Sequence, residues 1–218
     1  MKIRISRSAL GLLAVGGLAY AAGYFHVLPV GEPGAWAQAG KEQPKQLEPN
    51  PQMQAYIEAG TPGANHRYLD ALVGEWTGEF KMSWGPDQPA EVSQGTVTRE
   101  WMLGGRYLKE SVEATSPMGT FNGYGIMGYN NIDGQYEFAW VDSMSTAIWC
   151  ETGTYNPQTK ILTTRGSHRD PVTGHIVYGW GRIDMSNADR HTFVGYSTAP
   201  DGKEYKSMEG ALARKHKP

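Results

Sequence analysis

The sequence predicts an all-β domain: a single antiparallel meander of ten strands that closes into a barrel, with a short N-terminal helix plugging one end. Turn-forming sequences recur at short intervals from Trp84 towards the C-terminus. The segments between them are rich in Val, Ile, Thr and aromatic residues, which favour strands. Connections this short join only antiparallel neighbours, because a parallel return needs a crossover of about a dozen residues or more.

Nine turn sequences divide this region into ten strands. Each contains the Gly, Pro, Asn, Asp or Ser residues that favour chain reversal. They are Gly85-Pro86-Asp87, Gly104-Gly105, Ser116-Pro117-Met118-Gly119, Asn131-Ile132-Asp133-Gly134, Ser143-Met144-Ser145, Asn156-Pro157-Gln158, Asp170-Pro171-Val172-Thr173-Gly174, Ser186-Asn187-Ala188-Asp189 and Pro200-Asp201-Gly202. An open meander of this length exposes two edges and one apolar face, so closure into a barrel is predicted.

Apolar and polar residues alternate along the predicted strands. On the first strand Trp76, Phe80 and Met82 share one face, and charged residues occupy the other. Successive side chains of a strand point to opposite faces, so the aromatic face is expected to point into the barrel. Before this strand, residues 66–72 predict one or two helical turns that plug a barrel end.

The N-terminal region predicts an export signal. Lys2, Arg4 and Arg7 precede an uncharged run over residues 8–30, the order found in secretory signals and membrane anchors. We expect residues 1–39 to be a signal peptide or N-terminal signal anchor, residues 40–62 a flexible linker and residues 63–218 the barrel. The positive charges place the barrel outside the cytoplasm in either case.

Two outcomes for this leader are left open. The small residues at Ala37 and Ala39 favour cleavage, which would give a periplasmic or secreted protein. The apolar run of about 22 residues is also long enough to cross a hydrocarbon core of about 30 Å. An uncleaved helix over residues 8–30 would tether the protein to the inner membrane.

Composition narrows the classes of function. A formal net charge of −2 with no basic stripe gives no reason to expect a nucleic-acid partner. Cys150 is the one cysteine, which excludes an internal disulfide and is expected to be a small buried strand residue. The sequence holds no zinc-ligand spacing, nucleophile motif or phosphate-binding loop. We therefore predict no catalytic residue, metal or cofactor, and the oligomeric state is left open.

Residues at the start of the first strand resemble those of a known superfamily. Gly74 and Trp76 form a Gly-x-Trp pattern similar to that of calycins, which include lipocalins and fatty-acid-binding proteins. In calycins this Trp closes one barrel end and a basic residue of the last strand packs across it. The resemblance therefore implies a lipocalin-like barrel with Gly74, Trp76 and Arg214 at its closure.

A longer resemblance covers most of the predicted barrel. The sequence is similar to the bacterial family called domain of unknown function 1579, which implies a calycin-like barrel and no activity. The matching stretches are His66, Leu69 to Gly78, Gly95 to Trp101, Gly104 to Arg106, Gly123, Gly125, Gly128 to Asn131, Trp140 to Asp142, Gly153 to Tyr155, Asp170-Pro171, Thr173-Gly174 and Pro200 to Glu204.

The interior of the predicted barrel is the candidate binding site. A ten-strand barrel is wider than the roughly eight-strand barrel that side chains just fill, so a small apolar or amphipathic ligand is the expected partner. Asp142 shares a face with three aromatic residues, and an inward carboxylate needs a partner. Arg99 and Arg165 are the candidate partners. The predicted ligand-binding residues are Arg99, Trp101, Phe138, Trp140, Asp142 and Arg165.

Other interpretations of the same residues are left open. Asp142 also suits a cap for the turn at Ser143. An enzyme that acts on a small hydrophobic substrate, with Asp142 as acid or base, is one alternative. A haem-binding barrel is another, although the sequence favours no particular His. The tryptophans also suit a filled core with a purely structural role.

Overall fold

A computed structural model describes residues 50–116 and 119–216 and confirms the ten-strand meander. Every strand pairs antiparallel with the next, and β1 pairs with β10 to close the barrel. The strands are β1 (Gly74–Met82), β2 (Glu91–Met102), β3 (Tyr107–Ser116), β4 (Gly119–Asn130), β5 (Gln135–Asp142), β6 (Trp149–Asn156), β7 (Ile161–Arg169), β8 (Ile176–Asp184), β9 (Arg190–Thr198) and β10 (Glu204–Arg214).

The strand directions define two ends of the barrel. We call the end where β1 begins the helix end, because the chain enters β1 from a helical segment there. We call the opposite end the mouth; its loops include residues 83–90, 143–148, 170–175 and 199–203. Each predicted turn falls within or beside an observed connection, which explains why the strand count was correct.

Helical segments cover the helix end. The predicted helical turns are present as α2 (Ala64–Arg67) followed by a 3-10 helix (Tyr68–Leu72). Leu69 and Leu72 are fully buried. They pack into an apolar cluster with Leu108, Met127, Tyr136, Leu162 and Met185. Burial of these side chains fills this end of the barrel and fixes the plug in place.

A further helix, α1 (Pro51–Ala59), lies where the sequence analysis expected a linker. The interpretation of residues 40–62 as a flexible linker is therefore wrong for residues 51–59. Asn50 accepts a 2.8 Å hydrogen bond from the Met53 N–H, and Pro51 occupies the first helical position, where no N–H is needed. The Asn131 amide binds the carbonyls of Ala59 and Thr61, each at 2.9 Å, and ties the end of α1 to the barrel.

The predicted leader over residues 1–39 lies outside the described residues. Among the helices of residues 50–116 and 119–216, none has the length and apolar character needed to cross a bilayer.

Candidate ligand-binding site

Trp76 and Arg214 close the helix end of the barrel. Trp76 is fully buried, and its indole N–H donates a 2.9 Å hydrogen bond to the Leu72 carbonyl. The Arg214 guanidinium lies 4.1 Å from the centre of the Trp76 ring, as the resemblance to calycins implies. It also donates to the carbonyls of Val73 at 2.6 Å and Ala71 at 3.0 Å. One side chain therefore joins the last strand, the first strand and the plug.

Gly74 makes this closure sterically possible. Its φ of +125° is a conformation that L side chains rarely adopt. A Cβ at this position would lie 2.6 Å from Arg214 Nη1. Any other residue here would push the guanidinium away from the Val73 carbonyl.

His191 lies directly above the closure and forms part of the floor of the interior. Its ring centre is 4.1 Å from that of Trp76, and only 1% of the residue is exposed. Within the described residues, neither ring nitrogen has a hydrogen-bond partner. Burial lowers the pKa of His191 to about 4, with further lowering by the charges of Arg99 and Arg214. The imidazole is therefore neutral at physiological pH.

Arg99 and Glu110 form an ion pair at the same level. The two residues are cross-strand neighbours on β2 and β3, and Arg99 Nε donates to Glu110 Oε2. Arg99 is 7% exposed, and its Nη1 is buried with no partner among the described residues. The carboxylate therefore holds one edge of the guanidinium and leaves another edge unfilled.

An aromatic wall lines β4 and β5 towards the mouth; we define it as Phe121, Phe138 and Trp140. The ring of Trp140 stacks between the other two, at interplanar angles of 17° and 23°. A Cβ on Gly123 would lie 2.1 Å from the Trp140 ring, and one on Gly125 would lie 2.9 Å from Phe138. These glycines therefore let the rings pack closely against the sheet, and Phe121 and Trp140 also contact the buried cluster of Trp76, Val97, Val112 and Leu212.

Asp142 holds the aromatic wall at the mouth. Its Oδ2 accepts a 2.9 Å hydrogen bond from the Trp140 indole, and its Oδ1 accepts one from the Met144 N–H at 2.9 Å. The carboxylate thus faces inward and also caps the 143–148 loop, so the two interpretations of this residue describe one geometry. Its hydrogen-bond partners are an indole and a backbone amide, and neither predicted arginine is among them.

Trp149 and His168 continue the aromatic surface on β6 and β7. Their ring centres are 4.0 Å apart, and Trp149 is the cross-strand neighbour of Trp140. The Trp149 N–H is buried with no partner among the described residues. Burial lowers the pKa of His168, and the charge of Asp170 partly opposes this effect.

The opposite side of the interior carries glycines at four inward positions, and the side chains of Glu151 and Thr164 lie against two of them. We call it the glycine wall and define it as Gly166, Gly179, Gly181 and Gly195. These glycines occupy inward positions on β7, β8 and β9, because strand pairing and alternation place them on the same face of the sheet as buried Thr164. A Cβ on Gly195 would meet its nearest heavy atom at 3.5 Å, an ordinary contact, so there is room inside the barrel at this position.

Inward residues differ in exposure between the two ends. Near the helix end, Leu108, Leu162 and Leu212 are fully buried. Towards the mouth, inward residues such as Trp140 and His168 are only half-buried. A side chain that points into a closed barrel is exposed only if solvent reaches the interior, so water enters this half through the mouth.

Comparison with known proteins places the chain in a family. A family model described as "Protein of unknown function (DUF1579)" matches residues 61–214. The chain belongs to the DUF1579 family. No curated protein matches the DUF1579 chain significantly.

Solved structures similar to the DUF1579 barrel support the same fold. Rv2717c from M. tuberculosis has a TM-score of 0.54 and 15% identity, over 72% of this chain and 100% of that one. The S-type phycobiliprotein lyase CPES from Guillardia theta has a TM-score of 0.50 and 10% identity, over 74% of this chain and 97% of that one. Identities this low establish the fold and leave the function to the residues of the site.

Two predicted site residues lie away from the aromatic wall of the DUF1579 barrel. Arg165 is exposed on the outer face of β7, because the inward positions of this strand belong to Leu162 and Thr164. Its expected place beside Asp142 is therefore wrong. Trp101 points inward near the helix end, where its indole donates a 2.8 Å hydrogen bond to Asp70 in the plug. Trp101 thus belongs to the plug, while Arg99, Phe138, Trp140 and Asp142 face the interior.

Two expectations about individual residues change with the structure, and two residues of the site were not predicted. Arg99 pairs with Glu110 and not with Asp142, because the strands on either side of the Gly104-Gly105 turn place them opposite each other. Cys150 is exposed and not buried, because it lies between inward Trp149 and Glu151 on β6. His191 and Glu110 were missed. The sequence did indicate an inward position for His191, since this residue alternates with the apolar Phe193 along β9.

The outer surface of the DUF1579 barrel also carries a groove of about 410 Å³ along β1, β8, β9 and β10. Its charged side chains neutralise one another. Lys81 lies 3.3 Å from Glu79 and 3.7 Å from Glu209. Exposed ion pairs of this kind contribute little energy, so they give no reason to place a ligand in this groove.

Histidine is a common metal ligand in proteins. Within the described residues, no group of three His, Cys, Asp or Glu side chains is arranged to hold a metal ion. His66 is buried in the plug, where its Nδ1 accepts a 3.0 Å hydrogen bond from the Gly63 N–H. His168 and His191 are the histidines that face the interior, at different levels of the barrel.

Proposed function

We propose that this protein binds a small amphipathic molecule inside the barrel, between the aromatic wall and the glycine wall. The observation that carries the proposal is this pairing of walls. Flat aromatic rings offer a large apolar contact area at low entropic cost, and Gly195 leaves room on the opposite wall. A core designed only to be filled would place side chains on both walls.

The polarity of the interior supports an amphipathic rather than a wholly apolar ligand. The Trp149 N–H, Arg99 Nη1 and both nitrogens of His191 are buried without partners in the described part of the chain. Unfilled buried polar groups of this kind are rare in folded proteins because each costs free energy. A ligand with polar atoms at its end would fill some of them.

The direct test is binding of an uncharged fluorescent probe, N-phenyl-1-naphthylamine, to the purified protein. We expect saturable binding with quenching of tryptophan fluorescence. Gly195→Leu would fill the interior from the glycine wall, and we expect it to weaken binding at least tenfold. Val194→Leu places the same leucine side chain on the outer face of β9 and serves as the control. Equal binding by both variants would contradict an interior site.

A second experiment identifies the natural ligand. Protein purified from its own host and examined by native mass spectrometry should carry a co-purifying small molecule that is absent from the Gly195→Leu variant. A mass equal to that of the polypeptide alone, together with no probe binding, would count against a ligand-binding role.

We also propose that the protein is exported, with residues 8–30 as the apolar part of its leader. The basic residues before this run and the small residues after it support the proposal. Cell fractionation with N-terminal sequencing separates the outcomes. A start near Ala37 or Ala39 in the soluble periplasmic fraction indicates cleavage, an intact N-terminus in the membrane fraction indicates an anchor, and cytoplasmic protein contradicts export.

A further inference from the structure

The floor of the interior has two buried side chains with unfilled hydrogen-bonding capacity. Arg99 is 7% exposed and keeps Nη1 free, and His191 is 1% exposed and keeps both ring nitrogens free, among the described residues. They come from β2 and β9, so they are independent features of the sequence that the closed barrel brings to one level. These unpaired atoms require an explanation, because most buried polar atoms in native proteins have a hydrogen-bond partner.

The chemistry of these atoms selects a ligand that accepts hydrogen bonds. A guanidinium nitrogen only donates, and a neutral imidazole donates through one nitrogen and accepts through the other. Glu110 occupies the Nε edge of Arg99, which fixes the orientation of the guanidinium. The unfilled Nη1 edge is therefore preorganised as a donor.

The charges that act on the His191 ring are mainly positive, although Glu110 neutralises part of the charge of Arg99. Arg99 from β2 and Arg214 from β10 both lower the pKa of His191, and the opposing effect of Asp184 from β8 is smaller than either. The neighbour from β1 is Trp76, which is uncharged. An anion placed beside His191 would be stabilised by the same charges that disfavour its protonation.

The aromatic wall leads directly to this floor. Arg99, Glu110, Gly125 and Trp140 are successive cross-strand neighbours on β2, β3, β4 and β5. Gly125 carries no side chain of its own, and the rings of Phe138 and Trp140 pack over it, so the aromatic wall reaches the neighbour of Glu110. One elongated ligand can therefore contact the wall with its apolar part and the floor with its end.

We propose that Arg99 and His191 form a subsite for the carboxylate of an amphipathic ligand whose apolar part lies along the aromatic wall. The inference rests on the proposed function and names the class of ligand. A carboxylate offers two acceptor oxygens and one negative charge, which match the Arg99 Nη1 edge and one imidazole N–H. The hydrogen bonds to charged Arg99 are of the strong, charge-assisted kind.

The experiment compares 11-(dansylamino)undecanoic acid with its methyl ester, which differ only at the head group. We expect the wild type to bind the acid at least tenfold more tightly than the ester. The double variant Arg99→Gln/Glu110→Gln removes the ion pair as a neutral unit and should reduce this preference to within about threefold. Near-ultraviolet circular dichroism establishes that it is folded.

A matched control removes an ion pair from the other face of the same two strands. Glu100 and Lys109 are cross-strand neighbours on β2 and β3, 2.6 Å apart and exposed. Glu100→Gln/Lys109→Gln should keep the full preference for the acid. If the Arg99 double variant does not fold, His191→Phe keeps a ring against Trp76 and should lower the preference at least threefold.

The outcomes separate the two proposals. Equal wild-type affinity for acid and ester, with N-phenyl-1-naphthylamine still bound, would overturn the carboxylate subsite and leave the interior binding site standing. A preference for the acid that persists in both floor variants would also overturn it. No binding of any of the three probes would overturn both.

Discussion

The indole N–H of Trp140 donates a 2.9 Å hydrogen bond to Asp142, two residues further along β5. The other carboxylate oxygen accepts from the Met144 N–H at the start of the 143–148 loop. A single side chain therefore sets the orientation of the largest ring of the aromatic wall and the conformation of a loop at the mouth. The position of Asp142 is explained by this structural role.

Asp142→Ala should release the Trp140 ring. We expect a loss of about 1 to 2 kcal/mol in the free energy of unfolding, since two hydrogen bonds to a charged acceptor are removed. We also expect weaker binding of N-phenyl-1-naphthylamine and a changed near-ultraviolet circular dichroism spectrum. Asp201→Ala is the control, because Asp201 accepts from the Lys203 N–H in another mouth loop and lies outside the aromatic wall. Identical spectra for the two variants would contradict the role of Asp142.

Gly123→Ala should displace Trp140. The added Cβ would lie 2.1 Å from the ring, so the indole must leave its place against the sheet. Overpacking of this kind typically costs about 1 to 3 kcal/mol. Gly195→Ala adds the same methyl group on the glycine wall, where the nearest heavy atom is 3.5 Å away, and should be close to neutral. Urea denaturation of both variants measures the difference, and equal stabilities would count against the packing described here.

Arg214→Lys should weaken the closure of the barrel. A lysine ammonium keeps the charge but cannot stack on Trp76 while donating to the carbonyls of Val73 and Ala71. We expect a loss of about 2 kcal/mol in the free energy of unfolding, from hydrogen bonds and the cation–π contact together. The same change at Arg190, which is exposed on β9, should have little effect. Urea denaturation measures the difference: the midpoint of unfolding should fall for Arg214→Lys while the slope of the transition stays unchanged.

Stability should fall in acid because of His191. Its pKa is about 4 in the folded state against 6.5 in the unfolded chain, so below pH 6.5 the unfolded state takes up a proton that the folded state does not. At about 1.4 kcal/mol per pKa unit, the free energy of unfolding should drop by about 3 kcal/mol between pH 7 and pH 4. Well above pH 6.5, where the imidazole is neutral in both states, this residue contributes no pH dependence.

The variant His191→Phe tests this assignment. It should lack this part of the acid-induced loss, while His66 and His168, whose pKa values are also lowered, continue to contribute in both proteins. His175→Phe changes a histidine in the exposed 170–175 loop and is the control. Parallel curves of unfolding free energy against pH for the wild type and His191→Phe would refute the prediction.

The fold was predictable because it depends on local signals. Turn residues mark every connection, and a meander needs no long-range choice of strand order. Helix α1 was not predicted, since its composition is that of a linker; only the Asn50-Pro51 start signals it. A helix with all its residues at the surface lacks the apolar face on which sequence interpretation depends.

The site was only partly predictable because it depends on which alternate residues of each strand point into the barrel. Ile161 and Leu162 are adjacent apolar residues at the start of β7, so the sequence does not show which of them points inward. The structure places Leu162 inward, which puts Arg165 on the outer face. The pairing of Arg99 with Glu110 follows from counting outwards from the Gly104-Gly105 turn. The approach of His191 to Arg99 depends on closure between β1 and β10, which no local pattern specifies.

Closure also has a consequence for how the chain is made. Arg214 binds the carbonyl of Val73 across 141 residues of sequence, so the edge of β1 stays unpaired until the last strand has been synthesised. A free strand edge is a template for pairing with other chains. The nascent protein is therefore most vulnerable to aggregation before its final residues emerge, and a truncation before Glu204 would make that vulnerable state permanent.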